Sequence, residues 1–380
     1  MFDFEEIQDL TTKYFCSKTE KKFNDFWPYL KTGLWKKIIP ENYDFNNLLS
    51  ESNQSDCKPL FENFYLLQAG MGFNSVSNKI EQKVYFPKLT YISWEQFIEL
   101  TAKFFQQFAN KRIGVQLSGG LDSSIIIGLL SLLKIQFWTV ELRSNRYEFR
   151  TERRVQDLIR PLASGSKIIN FEDVLPFSNL LEIPLHEYPD TTSLNYASEN
   201  ALANACQEMG IEILLTGNGG DDLFSEKLNE NPCNCNWNPY NFDPGWIREF
   251  IYSPKEIKLL SFYSIPFVLN YIFTHRRGLR EDEQKLWARE HFARILPSEL
   301  HRFNYCADFW GLYVSGLQNS KNTIEYLYEI TNKIVQNNKF TPTQFKHLFS
   351  KDISLTDKKL YQIIESRVSL AVWIYNLNKI

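Results

Sequence analysis

Residues 111–124, KRIGVQLSGGLDSS, constrain the fold more than any other stretch. Ile113, Val115 and Leu117 alternate with smaller or polar residues. The run breaks at Ser118-Gly119-Gly120, and a new apolar segment, 125–133, follows at once. That order predicts a strand over 113–117, a tight glycine loop and a helix over 123–133. The glycines remove side chains where the backbone must turn and show its N–H groups. Ser118, Ser123 and Ser124 add hydroxyl donors, and a helix start adds open N–H groups and a positive dipole end. Such a nest suits phosphate. Asp122 would repel bare phosphate, so it is expected as a ligand for Mg2+ carried by a nucleotide. The Lys that follows the glycines of a Walker loop is missing.

Residues 211–224, IEILLTGNGGDDLF, repeat the plan: a short apolar strand over 211–215, then a glycine loop, here with Asp221 and Asp222. Two loops that each carry an aspartate could hold one or two Mg2+ between them and bridge a triphosphate. Upstream, Ser93 with Gln96 reads as a capping box, and Phe97, Leu100, Phe104, Phe105 and Phe108 give its helix one apolar face. Between the loops the pattern predicts strands over 135–142 and 167–171 and helices over 150–162 and 194–209. A long loop runs through Pro176, Pro184 and Pro189. Strands separated by helices, and not strictly alternating, predict an α/β protein: a doubly wound, mostly parallel sheet with helices on both faces. Ligands of such sheets sit at the carboxyl ends of the strands, where the two glycine loops would lie.

The flanks are less regular. Trp27, Leu30, Leu34 and Trp35 fit a helical face, 42–56 reads as loop, and 62–91 holds short alternating pieces such as 83–86 before Pro87. Residues 226–246 read as a loop, and helical periodicity marks 254–273, 281–296, 321–337, 343–350 and 356–378. Three regions follow: a small α+β domain over 1–91, the α/β core over 92–245, and a helical part over 246–380. A net charge of −3 with no long Lys/Arg run argues against a nucleic-acid partner. The first residues lack a signal peptide's basic and apolar regions, and no stretch reaches membrane-spanning length. Six irregularly spaced cysteines read as reduced thiols, so a cytoplasmic place is expected. Cys233 and Cys235 form a close pair but lack the second pair or nearby His of a zinc site. His186 and Asp190, in the long loop, are expected to face the cleft or plain solvent.

SGGLDSS resembles the pyrophosphate loop of the ATP-pyrophosphatase superfamily. Those enzymes cleave ATP between its alpha and beta phosphates, adenylate a substrate oxygen and let a nucleophile displace AMP. TGNGGDD resembles the second loop of the asparagine synthetase family, SGEGADE in asparagine synthetase itself. The double glycine is closest in pattern to the ring-forming relatives, the lasso-peptide cyclases. The resemblance implies an adenine nucleotide alpha-hydrolase-like fold. It implies a nucleotide site of Ser118, Gly119, Gly120, Leu121, Asp122 and Ser123, with Thr216, Gly217, Gly219 and Gly220 in the second loop. Val140, Glu141 and Leu142 would contact adenine through their backbone, and Asp122, Asp221 and Asp222 would hold Mg2+. The role of Glu152 stays open.

Departures from the family redirect the chemistry. A Glu that orients ammonia is replaced by Asn218, which can hydrogen-bond but cannot take a proton near neutral pH. The family's Lys-x-x-x-Arg helix, Leu-Pro, Arg and catalytic Lys match Lys285, Arg289, Leu296-Pro297, Arg302 and Cys306. A thiol thus stands where the Lys is expected, and Arg302 or Lys285 is left to stabilise charge. The glutaminase nucleophile, a Cys after the initiator Met, is replaced by Phe2. The expected function is therefore an ATP- and Mg2+-dependent, AMP-forming amide ligase. It would join an Asp or Glu side chain of a precursor peptide to that peptide's N-terminal amine, helped by a leader-peptide-binding protein and a protease of the same pathway. Thirty Phe, nineteen Tyr and nine Trp could line a groove for such a substrate. The alternatives are an asparagine or beta-lactam type synthetase for a small molecule, a nucleobase- or tRNA-modifying pyrophosphatase, and a catalytically impaired binding protein.

Overall fold

The computed structural model describes residues 13–16, 21–23, 64–67, 71–74, 79–82, 90–186, 189–225, 245–276, 284–301, 309–336 and 358–379. The helical face at Trp27–Trp35, the strand at 83–86, the loops at 42–56 and 226–244 and the helix at 343–350 lie outside them.

The α/β core is a mostly parallel sheet flanked by helices, with a helical C-terminal region, as an adenine nucleotide alpha-hydrolase-like fold requires. Helix α1 (Trp94–Gln106) opens with the reciprocal Ser93–Gln96 capping box and buries Phe97, Phe104 and Phe105. Strand β1 (Ile113–Gln116) leads through the first glycine loop into α2 (Leu121–Leu132). Then come β2 (Trp138–Arg143), α3 (Arg150–Ile159), β3 (Ser166–Asn170), α4 (Tyr196–Glu208) and β4 (Ile213–Thr216). The second glycine loop leads into α5 (Gly220–Ser225). A fifth strand, β5 (Lys258–Ser261), precedes α6 (Pro266–Arg276) and α7 (Gln284–His291). The sheet order is β5-β4-β1-β2-β3, and every pairing is parallel.

The chain winds outward from β1 through β2 to β3, then returns to the other side of β1 for β4 and β5. The order reverses between β1 and β4, where Ile113 lies opposite Ile213. Both glycine loops therefore leave the sheet at the switch point, at the carboxyl ends of adjacent strands. Val115, Leu117, Ile126, Leu129 and Leu130 are wholly buried around it. Helix α2 is buried from Ser123 to Leu130, as its apolar run from Ile125 to Leu130 requires. At about 1.5–3 kcal/mol for each large apolar side chain removed from water, this helix anchors firmly what its first turn carries.

Two expectations change. Helix α2 starts at Leu121, two residues before the predicted 123, because Gly120 is the extended N-cap. The predicted helix over 254–273 instead holds β5, with α6 starting only at Pro266. Its Lys258–Ser261 run pairs residue by residue with Ile213–Thr216, and that ladder overrides the local helical spacing.

The chain divides into two compact units. The first gathers the described residues of Tyr85–Val174 and Ser198–Phe309, hence the whole parallel sheet. The second gathers those of Asp9–Val84, Leu175–Ala197 and Trp310–Ile380. It contains antiparallel strands Lys21–Phe23, Lys13–Cys16 and Phe64–Leu67, a hairpin of Met71–Asn74 and Lys79–Gln82, and helices α8 (Trp310–Asn319), α9 (Lys321–Gln336) and α10 (Lys358–Leu377). The proline-rich segment is pinned within this unit. Ser320 Oγ donates to Phe177 O at 2.7 Å, Trp373 Nε1 to His186 O and Asn376 Nδ2 to Ile183 O, both at 2.8 Å. His186 is buried, against the expectation of a solvent- or cleft-facing ring, and burial lowers its pKa. Asp190 is also buried and accepts from Thr192 N–H as a turn cap.

Candidate active site

The first loop is held open by its own hydroxyls. Gly119 takes φ +84°, and a Cβ there would lie 2.5 Å from the Glu152 carbonyl oxygen. Glu152 thus contributes its backbone as the wall behind the loop. Ser123, buried in the first turn of α2, accepts from Ser118 N–H at 3.3 Å and lies 3.0 Å from Ser118 Oγ. Ser118 Oγ also accepts from Gly120 N–H at 3.2 Å, and Ser124 Oγ donates to Gly120 O at 2.6 Å. These hydroxyls shape the loop. The first intrahelical bond is Ser124 N–H to Gly120 O, so the amides of Leu121, Asp122 and Ser123 precede the helix's own acceptors.

The second loop has the same build. Gly219 takes φ +85°, and Gly220 N–H donates to Gly217 O at 3.0 Å. A Cβ at Gly220 would lie 2.3 Å from Asp122 Cγ, and one at Gly217 would lie 3.1 Å from Ser123 N and 3.2 Å from Asp122 Cβ. The two loops are therefore in direct contact, and the missing side chains of the second make room for the aspartate of the first. Thr216 is buried at the end of β4, while Asn218 is exposed at the loop tip. Asp221 is exposed and pairs with Lys285 Nζ from α7 at 2.5 Å. Both side chains are well solvated, so the pair itself adds at most about 1 kcal/mol. Arg289, one turn further along α7, has its pKa lowered by burial.

The remaining candidates fall as follows. Val140 is buried in β2, with its carbonyl accepting from Leu117 N–H at 2.9 Å. Glu141 is buried and ion-paired with Arg160 at 2.8 Å. Leu142 is part-exposed, and its carbonyl accepts from Gln156 Nε2 at 3.1 Å. Arg302, Cys306, Cys233, Cys235 and the Asp222 side chain lie outside the described residues.

Three residues escaped sequence reasoning. Buried Gln156 places its amide between the carboxyl ends of β1 and β2, donating to Leu117 O at 3.2 Å as well as to Leu142 O. Ser261 Oγ donates to Asn218 O at 2.7 Å. Tyr263, buried in the turn after β5, donates to Asp122 O at 3.0 Å. Burial, then the charges of Asp122 and Asp221, push the Tyr263 phenol well above its usual pKa. Its segment carries no glycine signature and reads as helix, so no local signal marked it.

No cluster of three or more His, Cys, Asp or Glu groups able to hold a metal occurs among the described residues. Asp122 and Asp221 supply two carboxylates on facing loops. Mg2+ commonly takes one or two carboxylates and completes its shell with phosphate oxygens and water. The donor set therefore fits Mg2+ that arrives on a nucleotide.

No helix among the described residues is long and apolar enough to cross a membrane. No curated protein matches the sequence. A crystal structure of NAD+ synthetase from Burkholderia pseudomallei is similar at 15% identity and a TM-score of 0.25, covering 53% of this chain and 88% of that one. At that score the likeness adds nothing to the fold described above. Residues 105–227, which carry both glycine loops, match the family model described as Asparagine synthase.

Proposed function

We propose that the chain is an ATP-dependent amide ligase that releases AMP and pyrophosphate. The observation that carries this reading is the contact of the two glycine loops at the switch point, with Asp122 seated against Gly217 and Gly220. A substrate carboxylate oxygen attacks the alpha phosphorus, the bond to the bridging oxygen breaks, and pyrophosphate leaves with the electron pair. An amine nitrogen then attacks the acyl carbon, the C–N bond forms, AMP leaves with the electron pair of the broken C–O bond, and the nitrogen's proton passes to water. The first-turn amides of α2 and the Gly119 backbone hold the departing pyrophosphate, while the Gly120 amide is spent on Ser118 Oγ. Asp122 and Asp221 would hold Mg2+, which neutralises phosphate charge when bound. Lys285, ion-paired with Asp221, supplies a cation at the second loop. Asn218 can orient the amine but does not remove its proton.

The match to the Asparagine synthase model supports a small carboxylic acid as acyl donor more directly than a peptide. The macrolactam-forming reading rests on Gly220 and Asn218 standing where asparagine synthetase has Ala and Glu. Here Gly220 also has a local reason, the room it leaves for Asp122.

The test is to supply Mg-ATP with free aspartate, other small carboxylic acids, aspartyl peptides and amines, and to separate AMP from ADP. Acceptor-dependent AMP and pyrophosphate, abolished in Asp122→Ala, support the ligase. A product one water lighter than a single peptide selects the macrolactam form. ADP as product, or no ATP binding at all, overturns the reading.

A further inference from the structure

Strand β5 ends beneath both loops. Ser261 is its last residue and lies opposite Thr216, the last residue of β4. Tyr263 follows in the turn Phe262–Ser264, its ring edge-on to Phe224 at 5.5 Å. Ser264 Oγ donates back to Ser261 O at 2.8 Å and closes the turn. Neither Ser261 nor Tyr263 is more than 3% exposed, so the segment cannot shift without breaking its ladder or its packing. From this fixed base one hydroxyl reaches each loop: Ser261 to Asn218 O, Tyr263 to Asp122 O.

We propose that Ser261 and Tyr263 are positioning residues, a two-hydroxyl clamp that sets the spacing between the glycine loops and so between Asp122 and Asp221. The proposal deepens the ligase reading and rests on it for its catalytic meaning. Neither side chain is called on to touch substrate. Phosphate binding uses amides of the first loop itself, which either hydroxyl can be lost without removing. The alignment of two carboxylates across two loops depends on their spacing. Loss of the clamp should therefore act on turnover more than on ATP binding, because misplacement of about 1 Å can cost about a hundredfold in rate.

Ser261→Ala and Tyr263→Phe each delete one hydroxyl and keep the shape. Amide exchange on the full chain without nucleotide decides the coupling. Each variant is expected to speed exchange in both loops, 117–123 and 216–221. The double variant should gain little over the larger single, as linked rather than independent sites do. Ser261→Thr should restore the wild-type pattern. In turnover, each single variant should lose about tenfold to a hundredfold in kcat with KM for ATP nearly unchanged. Exchange that rises only in the loop each hydroxyl touches overturns the clamp, as does a uniform rise across the whole sheet, which marks a merely structural role. A wild-type protein that releases no pyrophosphate with any acceptor would remove the ligase reading, while the exchange result would still decide the coupling.

Discussion

At Gly220 a methyl group would come within 2.3 Å of Asp122 Cγ, so the smallest possible substitution there acts on a carboxylate in the other loop. Gly220→Ala is expected to destabilise the fold by about 1–3 kcal/mol, since Asp122 Cβ, only 2.7 Å from the new methyl, cannot rotate away and the backbone must yield. It should raise the Mg2+ concentration for half-maximal AMP formation, and titrating Mg2+ at fixed ATP checks this. A second residue-scale effect lies away from the loops. His291 Nε2 shares a hydrogen bond with the Tyr271 hydroxyl, and the ring is packed among Trp94, Trp287, His275 and Arg294. Burial first, then the neighbouring His275 and Arg294, lower its pKa from 6.5 to about 4. A folded-state pKa below the unfolded one means that the unfolded chain binds the extra proton between those values. The contribution is fully present above about 6.5 and is lost as the pH falls towards 4. Urea midpoints measured from pH 7 to pH 4 should decline less steeply in His291→Gln than in the wild type.

Elements place these residues, and they differ in how openly the chain announces them. The first glycine loop and the capping box of α1 could be read from sequence because their bonds join residues at most five positions apart. Strand β5 could not. Its identity comes from pairing with β4, 45 positions earlier, and its spacing alone fits a helix. Ser261 and Tyr263 were lost with it, since a hydroxyl has no meaning until its acceptor is near. The room at Gly220 was equally hidden, because it is defined by Asp122 in the first turn of α2, about a hundred positions earlier. Helix α2 shows the same dependence. A Cβ at Gly128 would lie 2.4 Å from the carbonyl oxygen of Ile295, in the turn that trails α7. Gly128→Ala gains about 0.8–1.0 kcal/mol of helix propensity. Overpacking against backbone costs about 1–3 kcal/mol, so the net effect should be destabilising. Urea unfolding would show it, and AMP formation should fall as well, because α7 carries Lys285.

At the scale of the whole molecule, the unit that holds the parallel sheet contains its own reporter of folding. Cys206 on α4 is wholly buried, and burial, with the charge of Glu199, pushes its thiol up to about 12. A thiol so protonated and enclosed is inert until the unit opens. Modification at Cys206, located by mass spectrometry, should be negligible in the native protein and should rise with the same urea midpoint as loss of the sheet. Saturating Mg-ATP should shift that midpoint upward, and Asp122→Ala should abolish the shift. The matching backbone turns at Gly119 and Gly219, φ +84° and +85°, carry a consequence for heredity. Chirality excludes ordinary side chains from both positions, and every missense change of a glycine codon installs a chiral residue. In a saturating mutational scan Gly219 should therefore tolerate Asn and Asp best. Gly119 should tolerate nothing, since there any side chain also meets the wall of α3. The two glycine loops would then mark themselves, in any population of this gene, as one site where no variant persists and one where at most Asn or Asp does.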